Sequence, residues 1–200
     1  MNEFRATVAI VRRHVDRRFG IDWAMQFGLV VAIAYVFAPT LANPLFALGI
    51  ASTLAAASAA ERTHADSLRR VTFFAMPLYG RQLARAHAVV PVLLALAIPA
   101  GYGLGAVVRT HNFPPALLGM MFGAALVATL VSLSATFRDG IRAWLYVILA
   151  ATAGLLVSLP YALFADRGLG LSLALALLIG FIALRAFGET LARYDPLPTT

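Results

Sequence analysis

From residue 24 to residue 60 the chain runs thirty-seven residues without a charged side chain. About 20 consecutive apolar residues suffice to cross a bilayer, so this run is long enough for more than one crossing and too apolar for an ordinary soluble domain. Pro39-Thr40 and Asn43-Pro44 interrupt it near the middle, and Pro and Asn punctuate turns. The run is therefore two spans joined by a tight turn. The first, 24 to 38, is short for a bilayer, and it is expected to borrow length from the preceding residues or from the turn.

Four more apolar runs follow the same pattern. Residues 88 to 108 contain Pro91 and Pro99 and are closed by Arg109-Thr110-His111-Asn112; Pro114-Pro115 opens a run to residue 136. After Arg138-Asp139-Gly140 and Arg142 comes the run 143 to 165, and after the turn Asp166-Arg167-Gly168 the run 169 to 187. Composition agrees: hydrophobic residues make up 61% of the 200 and charged residues 12%, against about 25% charged in soluble domains. The expected fold is an all-α polytopic membrane protein, a single transmembrane domain over residues 1 to 200. Spans 1 and 2 occupy 24 to 60 and spans 3 to 6 occupy 88 to 187.

Two stretches lie outside the spans. Residues 1 to 23 carry Arg5, Arg12, Arg13, Arg17 and Arg18, with Phe4, Val8, Val11, Val15 and Phe19 recurring between them. This spacing predicts an amphipathic helix at the membrane interface. Its charged region is too long for a signal peptide, and no small-residue cleavage pattern follows a short apolar core, so the helix is expected to be retained. The second stretch, 61 to 87, is the one long charged interruption inside the apolar chain, with Arg62, Arg69, Arg70, Arg81 and Arg85 against Glu61 and Asp66. Leu68, Val71, Phe73, Phe74, Met76 and Leu78 give it an apolar face, which predicts a short interfacial helix that Pro77 and Gly80 then break.

Orientation follows from arginine. Placing the N-terminal stretch, 61 to 87, 137 to 142 and the chain from Arg185 on one side puts fourteen arginines there, with Arg109 and Arg167 opposite. The positive-inside rule then puts both termini, the tail 188 to 200 and the central stretch in the cytoplasm.

The residues also exclude chemistries. With no cysteine there are no disulfides, thiolate metal sites or thiol nucleophiles. All sixteen basic residues are arginine, so no Walker A lysine exists and this chain does not hydrolyse ATP through a P-loop. The arginines cluster beside apolar spans, as orientation signals do, which argues against nucleic-acid binding. His14, His64, His87 and His111 show no ligand spacing and are expected at the surface or at an interface. No span carries an ionisable group at its middle, whereas ion-coupled carriers place acidic groups or His there. Ser132, Ser134 and Thr136 have no nearby base in sequence and read as packing hydroxyls. Gly101-x-x-x-Gly105 and Gly119-x-x-x-Gly123 permit close helix approach, either within the chain or at a dimer face. Tyr35, Tyr102, Tyr146 and Tyr161 suit both packing and interfacial anchoring.

In layout, nearly the whole chain resembles the membrane subunits of ABC-2 type transporters, and the small haem-exporter-like permeases share that layout and size. The local resemblance lies in the central stretch. Glu61-Arg62 matches the acidic start, Ala75-Met76-Pro77-Leu78 the proline step, and Gly80-Arg81-Gln82-Leu83 the polar lead-in to span 3. Asp66-Ser67-Leu68-Arg69 departs from the usual Gly-Thr-Leu-Glu type sequence, and His87 stands about where a lysine is usual. The resemblance implies a permease subunit in a plasma membrane, such as the bacterial inner membrane, with residues 61 to 87 forming a cytoplasmic coupling helix between spans 2 and 3. Glu61, Arg69, Arg70, Phe73, Phe74, Met76, Pro77, Leu78 and Arg81 would dock a cytoplasmic P-loop ATPase. A second six-span subunit would complete the path, with ATP and magnesium on the partner ATPase and no cofactor in this chain. The competing expectation is a non-transporting membrane scaffold or assembly subunit. An enzyme acting within the membrane ranks behind both for want of an acid, base or metal constellation.

Overall fold

The computed structural model describes residues 17–37, 44–64, 80–136 and 143–193, together with Arg5, Val8 and Ala9. Among them the chain is helical throughout, apart from short turns, and six helical stretches are long and apolar enough to cross a membrane. The elements are α1 (Arg17–Phe37), α2 (Pro44–His64), α3 (Gly80–Ala95), α4 (Ala97–Thr110), α5 (Pro115–Thr136), α6 (Ala143–Phe164) and α7 (Asp166–Arg193). Helices α3 and α4 form one crossing, Gln82–Thr110. This is a membrane-embedded helix bundle.

Several span ends differ from the expected ones, each for a local reason. The first crossing begins at Phe19 rather than residue 24, so it takes its missing length from the N-terminal stretch. Helix α3 starts at Gly80, eight residues before the expected start of span 3, because Leu83, Ala84 and Ala86 are buried against neighbouring helices. The α3 to α4 break falls at Leu96, where Pro99 lacks the N–H that would bond the carbonyl of Ala95. His111 closes α4 in the left-handed region, φ 54°, and donates its N–H to the carbonyl of Val107 at 2.9 Å. Pro115 occupies the first position of α5, where a missing N–H costs nothing.

The expected turn at 166 to 168 is a single residue. Ala165 takes φ 49°, and α7 begins at Asp166. Pro160 lies inside the last turns of α6, and the N–H of Tyr161 donates to Ser172 Oγ of α7 at 2.9 Å. Gly168 lies against the Pro160 carbonyl where a Cβ would collide.

Contacts fix the direction of the helices. Gly101 lies against Phe27 and Val30, and Gly105 against Val31 and Ala34, so α1 and α4 run parallel. Ser132 Oγ of α5 donates to the Ala56 carbonyl of α2 at 3.0 Å, near the last turns of both, so these two run parallel as well. Ser58 near the end of α2 donates to Gln26 Oε1 near the start of α1 at 3.3 Å, an antiparallel relation. Crossings therefore alternate. One end of the bundle gathers the start of α1, the end of α2, the start of α3 and the ends of α5 and α7; it carries Arg17, Arg18, Glu61, Arg62, Arg81, Arg85, Arg185, Glu189 and Arg193 and is called the basic end here.

Helix α5 is the centre. It packs against α2, α6 and α7, and less extensively against α3 and α4. Its apolar residues go all the way round, as a helix with neighbours on most sides requires. Small residues let the backbones approach: a Cβ on Gly154 of α6 would lie 2.7 Å from the Ala124 carbonyl and 2.5 Å from Ser52 Oγ. Without a hydrophobic driving force inside lipid, such contacts and interhelical hydrogen bonds hold the bundle. The largest core joins Val30, Leu48, Ile98, Tyr102, Met120 and Met121. A second core lies at the basic end.

The glycine patterns resolve as packing within the chain for Gly101 and Gly105, whose close neighbours are α1 backbone and Ala34 Cβ. A Cβ on Gly123 would meet Ala176 of α7 at 3.4 Å, whereas one on Gly119 would meet nothing within 4 Å.

Candidate docking end of the bundle

The expected docking residues fall into two groups. Glu61 lies exposed in the last turn of α2, and Arg81 lies in the first turn of α3. Arg69, Arg70, Phe73, Phe74, Met76, Pro77 and Leu78 lie outside the described residues, as does most of the N-terminal amphipathic stretch. What the structure supplies is the frame that carries the segment between α2 and α3.

Both ends of that segment are rooted in the second core. Ala59 of α2 and Leu83, Ala84, Ala86 and Ala88 of α3 join Leu130 and Leu133 of α5 and Ala183, Phe187 and Leu191 of α7. On α3 buried residues flank exposed Arg85 on both sides, so the arginine points away from this core while its neighbours pack. His87, expected at the surface or an interface, is 4% exposed. The reason is the early start of α3, which places residue 87 two turns inside a packed helix instead of in the charged stretch.

The contribution of α7 was not visible as a site residue in the sequence. Its last turns extend past the expected end of span 6 at Phe187. Phe187 is fully buried and Leu191 is 3% exposed, while on another face Arg185 Nε donates to Glu189 Oε1 at 3.1 Å in an exposed pair. The signal was present: Ala183, Phe187 and Leu191 recur every four residues, so the apolar face of the helix continues beyond the apolar run.

Polar groups within the crossings serve packing. Ser52 and Ser158 hydroxyls return to carbonyls four residues back at 2.8 and 2.9 Å, and Ser132 reaches across to α2. Gln26 Nε2 and Thr129 Oγ1 are buried without a hydrogen-bond partner. Among the described residues no three His, Cys, Asp or Glu side chains gather as metal ligands would. Near the opposite end, the Arg109 guanidinium sits 5.5 Å from the centre of the Tyr35 ring, tying α4 to α1.

Fold and frame together define a helical membrane protein with six candidate crossings. No protein-family model, curated protein or solved structure matches the chain.

Proposed function

We propose that this chain is the membrane-spanning permease subunit of an ABC-type, ATP-driven transporter. A separate cytoplasmic P-loop ATPase docks on the segment between α2 and α3, and a second six-span subunit completes the translocation path. The observation that carries this reading is the shared root of that segment: its two ends enter one core with α5 and α7. A contact on the segment therefore acts on four crossings at once. A scaffold needs a surface, but it has no need of a segment so connected to the middle of the bundle.

The source of free energy points the same way. The chain has no lysine for a P-loop, and no acidic side chain sits at the middle of a crossing where a coupling ion would need a countercharge. Free energy for transport must then arrive through a protein contact, and the arginine distribution turns the basic end to the cytoplasm. Phe73, Phe74, Met76 and Leu78 supply the apolar anchors of that contact, and Arg69, Arg70 and Arg81 its charged rim.

The test is purification of the full chain from native membranes in mild detergent. A P-loop ATPase is expected at stoichiometric amounts. Truncating a buried aromatic anchor costs about 2 kcal/mol or more at an interface, whereas a rim charge costs much less. Phe73→Ala combined with Phe74→Ala is therefore expected to lose the ATPase while still inserting, and Arg81→Ala to retain most of it. A wild-type complex with no ATPase returns the chain to the scaffold class.

A further inference from the structure

We propose that Phe187, supported by Leu191, is the positioning residue through which the docking segment moves the rest of the bundle; this rests on the permease reading above. At 28 residues, α7 is about 42 Å long, against about 30 Å of hydrocarbon. Its final turns have no need to be apolar for the sake of lipid. They are nevertheless buried on the face formed by Ala183, Phe187 and Leu191.

What they are buried against sets the role. From α2 and α3 the core receives Ala59, Ala84, Ala86 and Ala88, with Leu83 and the partly buried Val92 the larger side chains. Alanines have no side-chain rotamers with which to absorb a displacement. Phe187, the largest fully buried side chain among the described residues, belongs to this core together with Leu130 and Leu133 of α5. Close-packed interiors transmit displacement instead of damping it. A shift of the first turns of α3, imposed by the ATPase, is thus passed to α7 and α5, and α5 leads to the far end of the bundle at 111–115. Leu48, equally buried, belongs to the other large core and not to the one that holds Phe187.

The experiment uses the full complex in lipid nanodiscs, with Asn112→Cys as the reporter in a chain that has no native cysteine. Residue 112 is exposed in the α4 to α5 link. The rate of maleimide labelling is measured without nucleotide and with ATP plus vanadate. In the otherwise unaltered chain the nucleotide is expected to change the rate severalfold. Phe187→Ala is expected to keep the ATPase bound at the same stoichiometry and to abolish that change, Phe187→Leu to restore most of it, and Leu48→Ala to leave it intact. Should Phe187→Ala fail to assemble, Leu191→Ala decides, with at least a threefold loss of the response expected. The inference is overturned by an unchanged response in Phe187→Ala or Leu191→Ala, by equal loss in Leu48→Ala, or by an ATPase-bound complex with no response at residue 112. Absence of the ATPase from the unaltered complex overturns the permease reading itself, which the stoichiometry reports separately.

Discussion

Helices α1 and α5 are nearly equal in length, 21 and 22 residues, and in both the middle is uncharged, yet their surroundings are opposite. Of the apolar window in α5, 61% is buried, against 11% in α1. Helix α5 is walled by α2, α6 and α7 and touched by α3 and α4, whereas α1 leans chiefly on α4. Each carries small residues at a spacing of four, with different outcomes. The seam that holds α1 is supplied by Gly101 and Gly105 of α4, while the outward face of α1 presents Gly20, Ala24, Gly28 and Ala32, all exposed. A Cβ on Gly20 or Gly28 would meet nothing within 4 Å. Apolarity assigns a helix to the membrane; whether it lies at the centre or the edge depends on which neighbours have backbone within reach.

That contrast can be broken most severely at its centre. Met121 is fully buried in α5, and truncating a buried methionine to alanine costs about 2–5 kcal/mol. Met121→Ala is expected to lower the thermal midpoint of the detergent-purified protein more than any change in α1. A smaller loss is expected at the seam. In Gly105→Val the new Cβ would lie 2.7 Å from both Ala34 Cβ and the Val31 carbonyl, and overpacking of this kind costs about 1–3 kcal/mol. Because α1 is held chiefly there, limited proteolysis should release α1 at temperatures where α2 to α7 remain folded. The smallest effect belongs to Gly28→Ala. It adds a methyl to open space and removes helix-interior glycine, so the midpoint should hold or rise, with a stability gain of up to about 1 kcal/mol. A large loss from Gly28→Ala, or none from Gly105→Val, would dissolve the distinction between the two stripes.

The crossings themselves were legible, since uncharged runs between Pro, Gly and Arg clusters mark bilayer-length helices. Their ends were legible only where a turn residue fixed them, as Pro115 does for α5. Helix α3 began early because alanines 84, 86 and 88 pack against α7, and alanine next to Arg85 and His87 reads as part of a charged stretch until the partner helix is known. The same limit concealed Phe187. A residue at the end of an apolar run looks like the last of the lipid-facing positions, and only the burial of Leu191 one turn later shows that the helix continues into a core. The glycine spacing on α4 was legible as a close contact, but its partner was not, because any helix with exposed backbone would satisfy it.

All functional consequences depend on which side of the membrane the basic end faces. Single cysteines at Thr63, in the last turn of α2, and at Asn112, in the α4 to α5 link, separate the two ends in one labelling experiment on intact cells. The expected result is reaction of Asn112→Cys with an impermeant maleimide and protection of Thr63→Cys until the membrane is opened. Reaction at Thr63→Cys with protection at Asn112→Cys would place the docking segment outside, away from ATP, and would contradict the proposed coupling.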